Sequence, residues 1–587
     1  MRGYTIVVSP PAARLRLNVL NLAAAESPSE LSCVKKPTFN IAQFLPEIAR
    51  AEPHRTAILC PHARDDQGRT SVTFAQLNSE SDMLAWGLSG HGIKPGHRVL
   101  LGVRPGIDFI ALTFALFKIG AVPVLIDPGM GKKNLLECVK RARPQGLIAI
   151  ALAQLLLGRT VSDGLKSRPI VAGRSWLNVL AGTTHLSSCR KRGMKRGAFL
   201  MARTRRESLA AILFTSGGTG TAKGVCYEHG MFGAQLELIR EHFGIQPGEI
   251  DLPAFPLFAL FSTAMGVTSV IPDMNPSRPA ECNPDNIIGA ILNNDVTYTF
   301  GSPAIWKRVG PRCVERGIKL PSLRRILMAG APVRAEVIAP FKDILAPDGD
   351  VFIPYGATEA LPVCSMRGSE VLNETWPLTR QGKGYCVGRP LTGVKVKIID
   401  PDDPVTQASR LRGLSPNEIG EIVVQGPVVT KEYFDMPEET AYAKIGDPGK
   451  GEFWHRMGDM GYLDSTGRIW FCGRKAHRII SGGRAHYSVC CEAIFEEFLR
   501  SKLKLETRAA LINVASKPAL AIEWAEQRES GLPDKITHAW KSEPLGAEIE
   551  TLYFYKKPFP VDVRHNAKID REALGRWAKD EKREVRK

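Results

Sequence analysis

Short apolar runs alternate with stretches of helical spacing through most of the chain. HRVLLGV (97–103), AVPVLID (121–127), SLAAILFTS (208–216), VTYTFGS (296–302), LRRILMAGA (323–331) and VFIPYGATE (351–359) are runs of the first kind. NIAQFLPEIARAEP (40–53), DFIALTFALFKIG (108–120) and GMFGAQLELIREHFG (230–244) are of the second. Near-continuous apolar runs suit strands buried on both faces, and strands alternating with helices imply a parallel sheet covered by helices. From 208 to 360 each run gives way to Gly, Ser or Thr. Ligands of open parallel sheets collect at the carboxyl ends of strands. The polar segments after 214, 328 and 353 are therefore expected to converge on one cleft.

The chain has 587 residues, too many for one core, since single cores stop growing near roughly 250–300 residues. The texture changes over 384–475 to short strands and turns, as in VKVKIID, EIGEIVVQG and RIWFCGR. After 476 helix and strand mix. The expectation is an α/β protein. A large N-terminal domain, 38–475, holds two layered α/β parallel-sheet subdomains and a small β-rich subdomain. A small mobile α+β domain, 476–587, follows. Residues 1–37 read as an extension outside the folded body, and Pro10, Pro11, Arg14 and Arg16 interrupt any secretory apolar core there.

Hydrophobic residues make up 44% and charged residues 24% of the chain, the balance of a soluble globular enzyme. The net charge of +18 admits nucleic acid, anionic lipid or a polyanionic small substrate, and also a charge simply spread over a large surface. The segment 190–206, RKRGMKRGAFLMARTRR, holds eight basic residues and no acid. Phe199 is its one aromatic residue, so base stacking has little support and a solvated loop is the better reading. The stretch 109–127 contains Lys118 and Pro123, which argues for a buried helix and strand instead of a membrane span. The twelve cysteines form no CxxC pair, so a reducing, cytoplasmic setting is expected.

Residues 214–225 read FTSGGTGTAKGV. Gly217, Gly218 and Gly220 free the backbone to bring amide groups onto an oxyanion. Thr215, Ser216 and Thr219 add hydroxyls, and Lys223 adds a full charge. The set suits a polyphosphate. Ala222 before Lys223 and Gly224 after it exclude a Walker A loop, and Lys223 stands where a dinucleotide fingerprint needs glycine.

The run resembles the phosphate loop of the adenylate-forming superfamily, and the resemblance extends in order from about 38 to 575. PYGATEA at 354–360 is similar to that superfamily's second signature. The resemblance implies Tyr355 stacked on adenine beside Gly356, Thr358 touching phosphate and Glu359 binding Mg²⁺. AGAP at 329–332, with Gly330, Ala331 and Pro332, resembles the strand end against the adenine. Asp459 in HRMGDMGYLD stands like an aspartate that accepts from both ribose hydroxyls, and Arg474 like a ribose-contacting arginine. Lys568 in VRHNAKID matches the C-terminal lysine. Thr219, Lys223 and Lys568 are the catalytic residues so implied, with ATP and Mg²⁺ as cofactors. The implied reaction joins a carboxylate to the α-phosphorus of ATP, with cations offsetting the repulsion between two anions.

DLPAFPLFALF, SVIPDMNPSRP, FGSPAIW, FWHRMGDMGYLD, IWFCGRKAHRI and FPVDVRHNAKIDREAL together resemble the olefin β-lactone synthetases. That resemblance implies a long-chain 2-alkyl-3-hydroxy acid whose own hydroxyl closes on the activated carboxyl group. It also implies a thiolase, a reductase and an α/β-hydrolase as pathway partners, with no nucleic acid and no membrane span. Three departures from superfamily habit are Gly218 for a hydroxyl residue, Ala476 in the hinge, and no proline before Glu492. They favour lactone closure over a thioester-forming second conformation. Phe255, Leu257, Phe258, Leu260 and Phe261 read equally as an acyl pocket or as core. A long-chain acyl-CoA ligase is the nearest rival. A basic polyanion- or membrane-surface protein without catalysis is a more distant one.

Overall fold

The computed structural model of the chain describes residues 38–173, 182–214, 222–524, 531–561 and 568–584, with 581–584 by backbone alone. The expected extension at 1–37 and most of the glycine-rich loop, Thr215–Thr221, lie outside the described residues.

Two large sheets carry the chain up to Arg474. A seven-stranded sheet is parallel over six strands and closes with the antiparallel pair Leu209–Phe214 and Gly224–Glu228. The anticipated strands Arg98–Gly102 and Val122–Ile126 lie inside it. Between them runs the helix Ile107–Ile119, every residue of which is buried. Its one cation, Lys118, is 2% exposed and is met by Asp82 at 2.6 Å and by Oδ1 of Asn78 at 2.8 Å. A lysine inside an apolar helix is tolerated here because a carboxylate from the facing helix neutralises it.

A fourteen-stranded sheet contains Tyr298–Gly301, Arg325–Met328 and Asp350–Ala357, parallel to one another. Beyond Asp350–Ala357 the pairing turns antiparallel, through Ala360–Arg367 and Tyr385–Pro390 to Ile469–Arg474 and Glu452–Leu463. The β-rich region is thus continuous with the second parallel sheet. The strand Asp350–Ala357 is the seam between the two regimes.

The C-terminal part folds around a three-stranded sheet, Ala509–Val514, Lys517–Glu523 and Leu552–Tyr555. Side-chain direction alternates along a strand. Ala509 and Leu511 face Phe495 and Leu499 of the helix Ser488–Leu503, whereas Ala510 and Ile512 face Leu574 and Ala578 of the helix Arg571–Glu584. The sheet is covered on both sides.

The basic segment is not a uniform patch. Arg190, in the helix Leu186–Gly193, is 5% exposed, donates to Glu80 at 2.5 Å and to Asp66 at 3.2 Å, and also bonds Asp108. The other seven basic side chains are exposed. Among the described residues no helix is long and apolar enough to cross a membrane.

Candidate active site

Six segments bring the anticipated residues to one cleft of ≈ 3060 Å³, lined by Lys223, Gly330, Ala331, Pro332, Tyr355, Gly356, Thr358, Glu359, Asp459, Arg474 and Lys568. Thr215, Ser216, Gly217, Gly218, Thr219 and Gly220 lie outside the described residues, but the flanks of their loop are placed. Phe214 is the register partner of Gly224, so Lys223 leaves the sheet beside the strand end that opens the loop.

Each lining segment has a local reason for its course. After the strand Arg325–Met328 the chain turns at Gly330, whose φ of 93° is strained for a side-chain-bearing residue. PYGATEA makes a hairpin. Ala357 pairs with Ala360, and Thr358 and Glu359 form the turn. A Cβ on Gly356 would sit 2.4 Å from the Ala360 carbonyl oxygen, so the strands can close only over glycine. Asp459 is mid-strand and stands directly opposite Arg474 on the neighbouring antiparallel strand.

Two hydrogen-bonded groups occupy the polar end. In the first, Tyr355 donates to Oδ2 of Asp459 at 2.6 Å and Arg474 donates to Oδ1 at 2.9 Å. Asp459 is only 5% exposed, so both carboxylate oxygens are satisfied by protein as water is excluded. The Asp459 charge raises the pKa of Arg474, and burial followed by the same carboxylate pushes Tyr355 well above the ordinary phenol value. In the second, Tyr433 donates to Oε1 of Glu359 at 2.8 Å, and the Lys223 ammonium lies 4.7 Å from the Tyr433 ring centroid. The main-chain oxygen of Glu359 accepts from the N–H and hydroxyl of Thr430 at 2.9 and 3.1 Å. The turn is therefore tied down from the Thr430–Tyr433 side.

Lys568 comes to the cleft on a segment anchored by its neighbours. Val561 bridges Ile569, and Arg571 binds Glu492 with Nη2 at 2.7 and 2.8 Å from the two carboxylate oxygens. Glu492 also accepts from the Leu511 N–H at 2.8 Å. Burial raises its pKa, against the pull of Arg571.

Away from the polar end the cleft is apolar. Phe255, Leu257, Phe258, Leu260 and Phe261 all line it, and the same side chains pack partly buried on the main core. The pocket and core readings coincide, because the short helix Phe258–Ala264 presents one side to each.

Tyr433 and Glu492 hold this geometry, and His455 lines the cleft with Lys444 bonded to its Nδ1; none of the four was singled out as a site residue. Tyr433 belongs to no glycine- or hydroxyl-rich segment, and Lys444 reads in sequence as a surface charge. His455 offered one signal, its place four residues before Asp459 on the same strand.

The family described as AMP-binding enzyme matches residues 45–434. The olefin beta-lactone synthetase of Stenotrophomonas maltophilia (strain K279a) is 42% identical over 563 residues, covering 92% of this chain and 98% of that protein. The protein of the same name from Xanthomonas campestris pv. campestris is 40% identical over 557 residues, covering 92% and 97%. Among solved structures, the amide bond synthetase McbA from Marinactinospora thermotolerans superposes with a TM-score of 0.71 at 21% identity, covering 92% of this chain and 99% of that one. At that identity the likeness speaks for the fold alone. With the matched segment spanning well over half its length, the chain belongs to the AMP-binding enzyme family and is an AMP-forming enzyme of the ligase type.

Proposed function

We propose that this enzyme activates a long-chain 2-alkyl-3-hydroxy acid with ATP and then closes it to a β-lactone. The observation that carries the reading is the 42% identity, over nearly the whole of both chains, to a protein named for lactone synthesis. The cleft supports it, since one continuous space runs from Lys223, Glu359 and Lys568 to the wall of Phe255, Phe258 and Phe261. Its ≈ 3060 Å³ exceeds the roughly 300–1,000 Å³ of common small-molecule sites, which leaves room for two alkyl chains beside a nucleotide.

In this reading an acid oxygen bonds to the α-phosphorus of ATP and pyrophosphate leaves. Lys568 meets the negative charge that builds on the acyl and phosphate oxygens, and Lys223 faces the phosphates with the hydroxyls of Thr215, Ser216 and Thr219. Asp459 and Arg474 hold the ribose, and Tyr355 with Gly330, Ala331 and Pro332 frames the base. Among the described residues no group of three or more His, Cys, Asp or Glu side chains could hold a metal ion. A single carboxylate, Glu359, beside phosphate oxygens is nevertheless a donor set that suits Mg²⁺. When bound, the ion offsets phosphate charge. In the second step the 3-hydroxyl oxygen bonds to the acyl carbon, AMP leaves, and the hydroxyl proton is lost. An intramolecular nucleophile supplies the high effective concentration that a strained ring needs.

The test is incubation of the enzyme with ATP, Mg²⁺ and a long-chain 2-alkyl-3-hydroxy acid, without coenzyme A. Equal amounts of AMP and β-lactone are expected. An adenylate that persists until coenzyme A is added would establish a long-chain acyl-CoA ligase instead. Supply of the acid by a thiolase and a reductase, and use of the lactone by an α/β-hydrolase, complete the proposal.

A further inference from the structure

Behind the Glu359–Tyr433 pair sits a cation, Lys444, that no local pattern of residues places there. Lys444 opens the strand Lys444–Asp447 and stands opposite His455 on the strand Glu452–Leu463. It is 4% exposed. Among the described residues its ammonium has one hydrogen-bond partner, Nδ1 of His455 at 3.0 Å, and no carboxylate within ion-pair distance. The rest of its surroundings are rings, with Tyr433 at 5.9 Å and Phe453 at 5.7 Å from the ammonium to their centroids. The charged side chains that face it are Glu359, which attracts it, and Lys223, which repels it.

This arrangement is poor for an enzyme without its nucleotide. Lys118 shows the ordinary solution in this fold, a buried lysine closed by an aspartate at 2.6 Å. Lys444 lacks that closure, and burial pushes its pKa down to about 7. When Lys444 is protonated, it and Lys223 face a single carboxylate, Glu359, among the described charged groups that act on Lys444. Tyr433, Glu359, Lys223 and His455 all line the cleft. A protonated Lys444 therefore leaves uncompensated positive charge just behind the wall proposed to hold a polyphosphate, and an anion there would supply the missing counter-charge.

We propose that Lys444 is a positioning residue for nucleotide binding: from behind Tyr433 and His455 it lends positive charge to the phosphate end of the cleft and steadies the Tyr433–Glu359 pair. The proposal rests on the reading of the cleft as an ATP site. Lys444 acts through its neighbours and through its field, and need not touch a phosphate.

The test compares Lys444→Met and Lys444→Gln with the wild-type enzyme, by calorimetric titration with MgATP, with pyrophosphate and with adenosine, and by thermal unfolding without ligand. Removing an unclosed buried charge should leave the ligand-free unfolding temperature unchanged or raised. Affinity for MgATP and pyrophosphate should fall about tenfold or more, and affinity for adenosine should stay put. The glutamine variant keeps a donor for His455 without the charge, and serves if the methionine variant does not fold. Undiminished MgATP affinity in a folded variant would overturn the proposal. An equal loss for adenosine and MgATP, or a lowered ligand-free unfolding temperature, would show a structural role and overturn it too. Failure of the wild-type enzyme to bind MgATP would instead overturn the reading of the cleft.

Discussion

The hydroxyl of Tyr433 donates to Oε1 of Glu359 at 2.8 Å across 74 residues of sequence. This bond aims the carboxylate proposed to hold Mg²⁺, and it is a hydrogen bond to a charged acceptor, worth about 1.5–3 kcal/mol. Tyr433→Phe keeps the ring that Lys223 packs on and removes only the donor. Pyrophosphate release at saturating ATP should slow by about tenfold or more, and the Mg²⁺ concentration for half-maximal rate should rise. A Mg²⁺ titration identical to wild type would show that Tyr433 does not orient Glu359.

Lys568→Ala should slow adenylate formation by roughly a hundredfold or more while MgATP affinity changes little, because the charge Lys568 meets develops mainly in the transition state. Arg571→Ala should reproduce part of that loss. Arg571 is clamped on Glu492 three residues past Lys568, so its removal frees the segment that presents the lysine. Single-turnover formation of the acyl-adenylate measures both effects. Wild-type rates in Lys568→Ala would remove the assigned role, and wild-type rates in Arg571→Ala alone would show that the Glu492 clamp is dispensable.

How far these features could be read from residues alone depends on their range. The alternation of apolar runs and helices is local, and HRVLLGV, AVPVLID, SLAAILFTS and VFIPYGATE do end up as strands of two sheets. The lining residues of the cleft stood in recognisable short segments. What was hidden is pairing between distant segments. Nothing near Asp459 announces that Arg474 will stand opposite it, since that follows from the register of two strands. Arg190 looked like one of eight exposed cations until the tertiary fold enclosed it with Glu80, Asp66 and Asp108. Lys444 carries no local signal that its side chain is buried. The change from parallel to antiparallel pairing at Asp350–Ala357 is likewise a property of the whole sheet.

Lys118 and Asp82 give a stability prediction away from the cleft. Both are buried, and the ammonium is closed by the aspartate at 2.6 Å. Asp82→Ala strands the lysine in an apolar helix, which should cost about 3–5 kcal/mol. Lys118→Met combined with Asp82→Ala should recover much of the loss, because an apolar pair needs no counter-charge. Urea unfolding of the wild type and the two variants tests this, and a double variant no more stable than Asp82→Ala would refute it.

His229 sets an acid limit on stability. Its imidazole is 1% exposed, and Nδ1 accepts the Ile41 N–H at 3.2 Å, so the ring is held neutral. Burial lowers its pKa from 6.5 to about 4. As the pH falls through 6.5 the unfolded chain takes up a proton that the folded chain refuses. The stability due to this neutral ring is therefore complete above pH 6.5 and is lost progressively as the pH falls toward 4. The full loss is about 3 kcal/mol for a shift of that size. His229→Gln retains an acceptor for Ile41 but does not titrate. Unfolding free energies measured between pH 7 and pH 4.5 should fall less steeply in this variant than in the wild type. Parallel curves would show that the ring is not what makes the fold acid-sensitive.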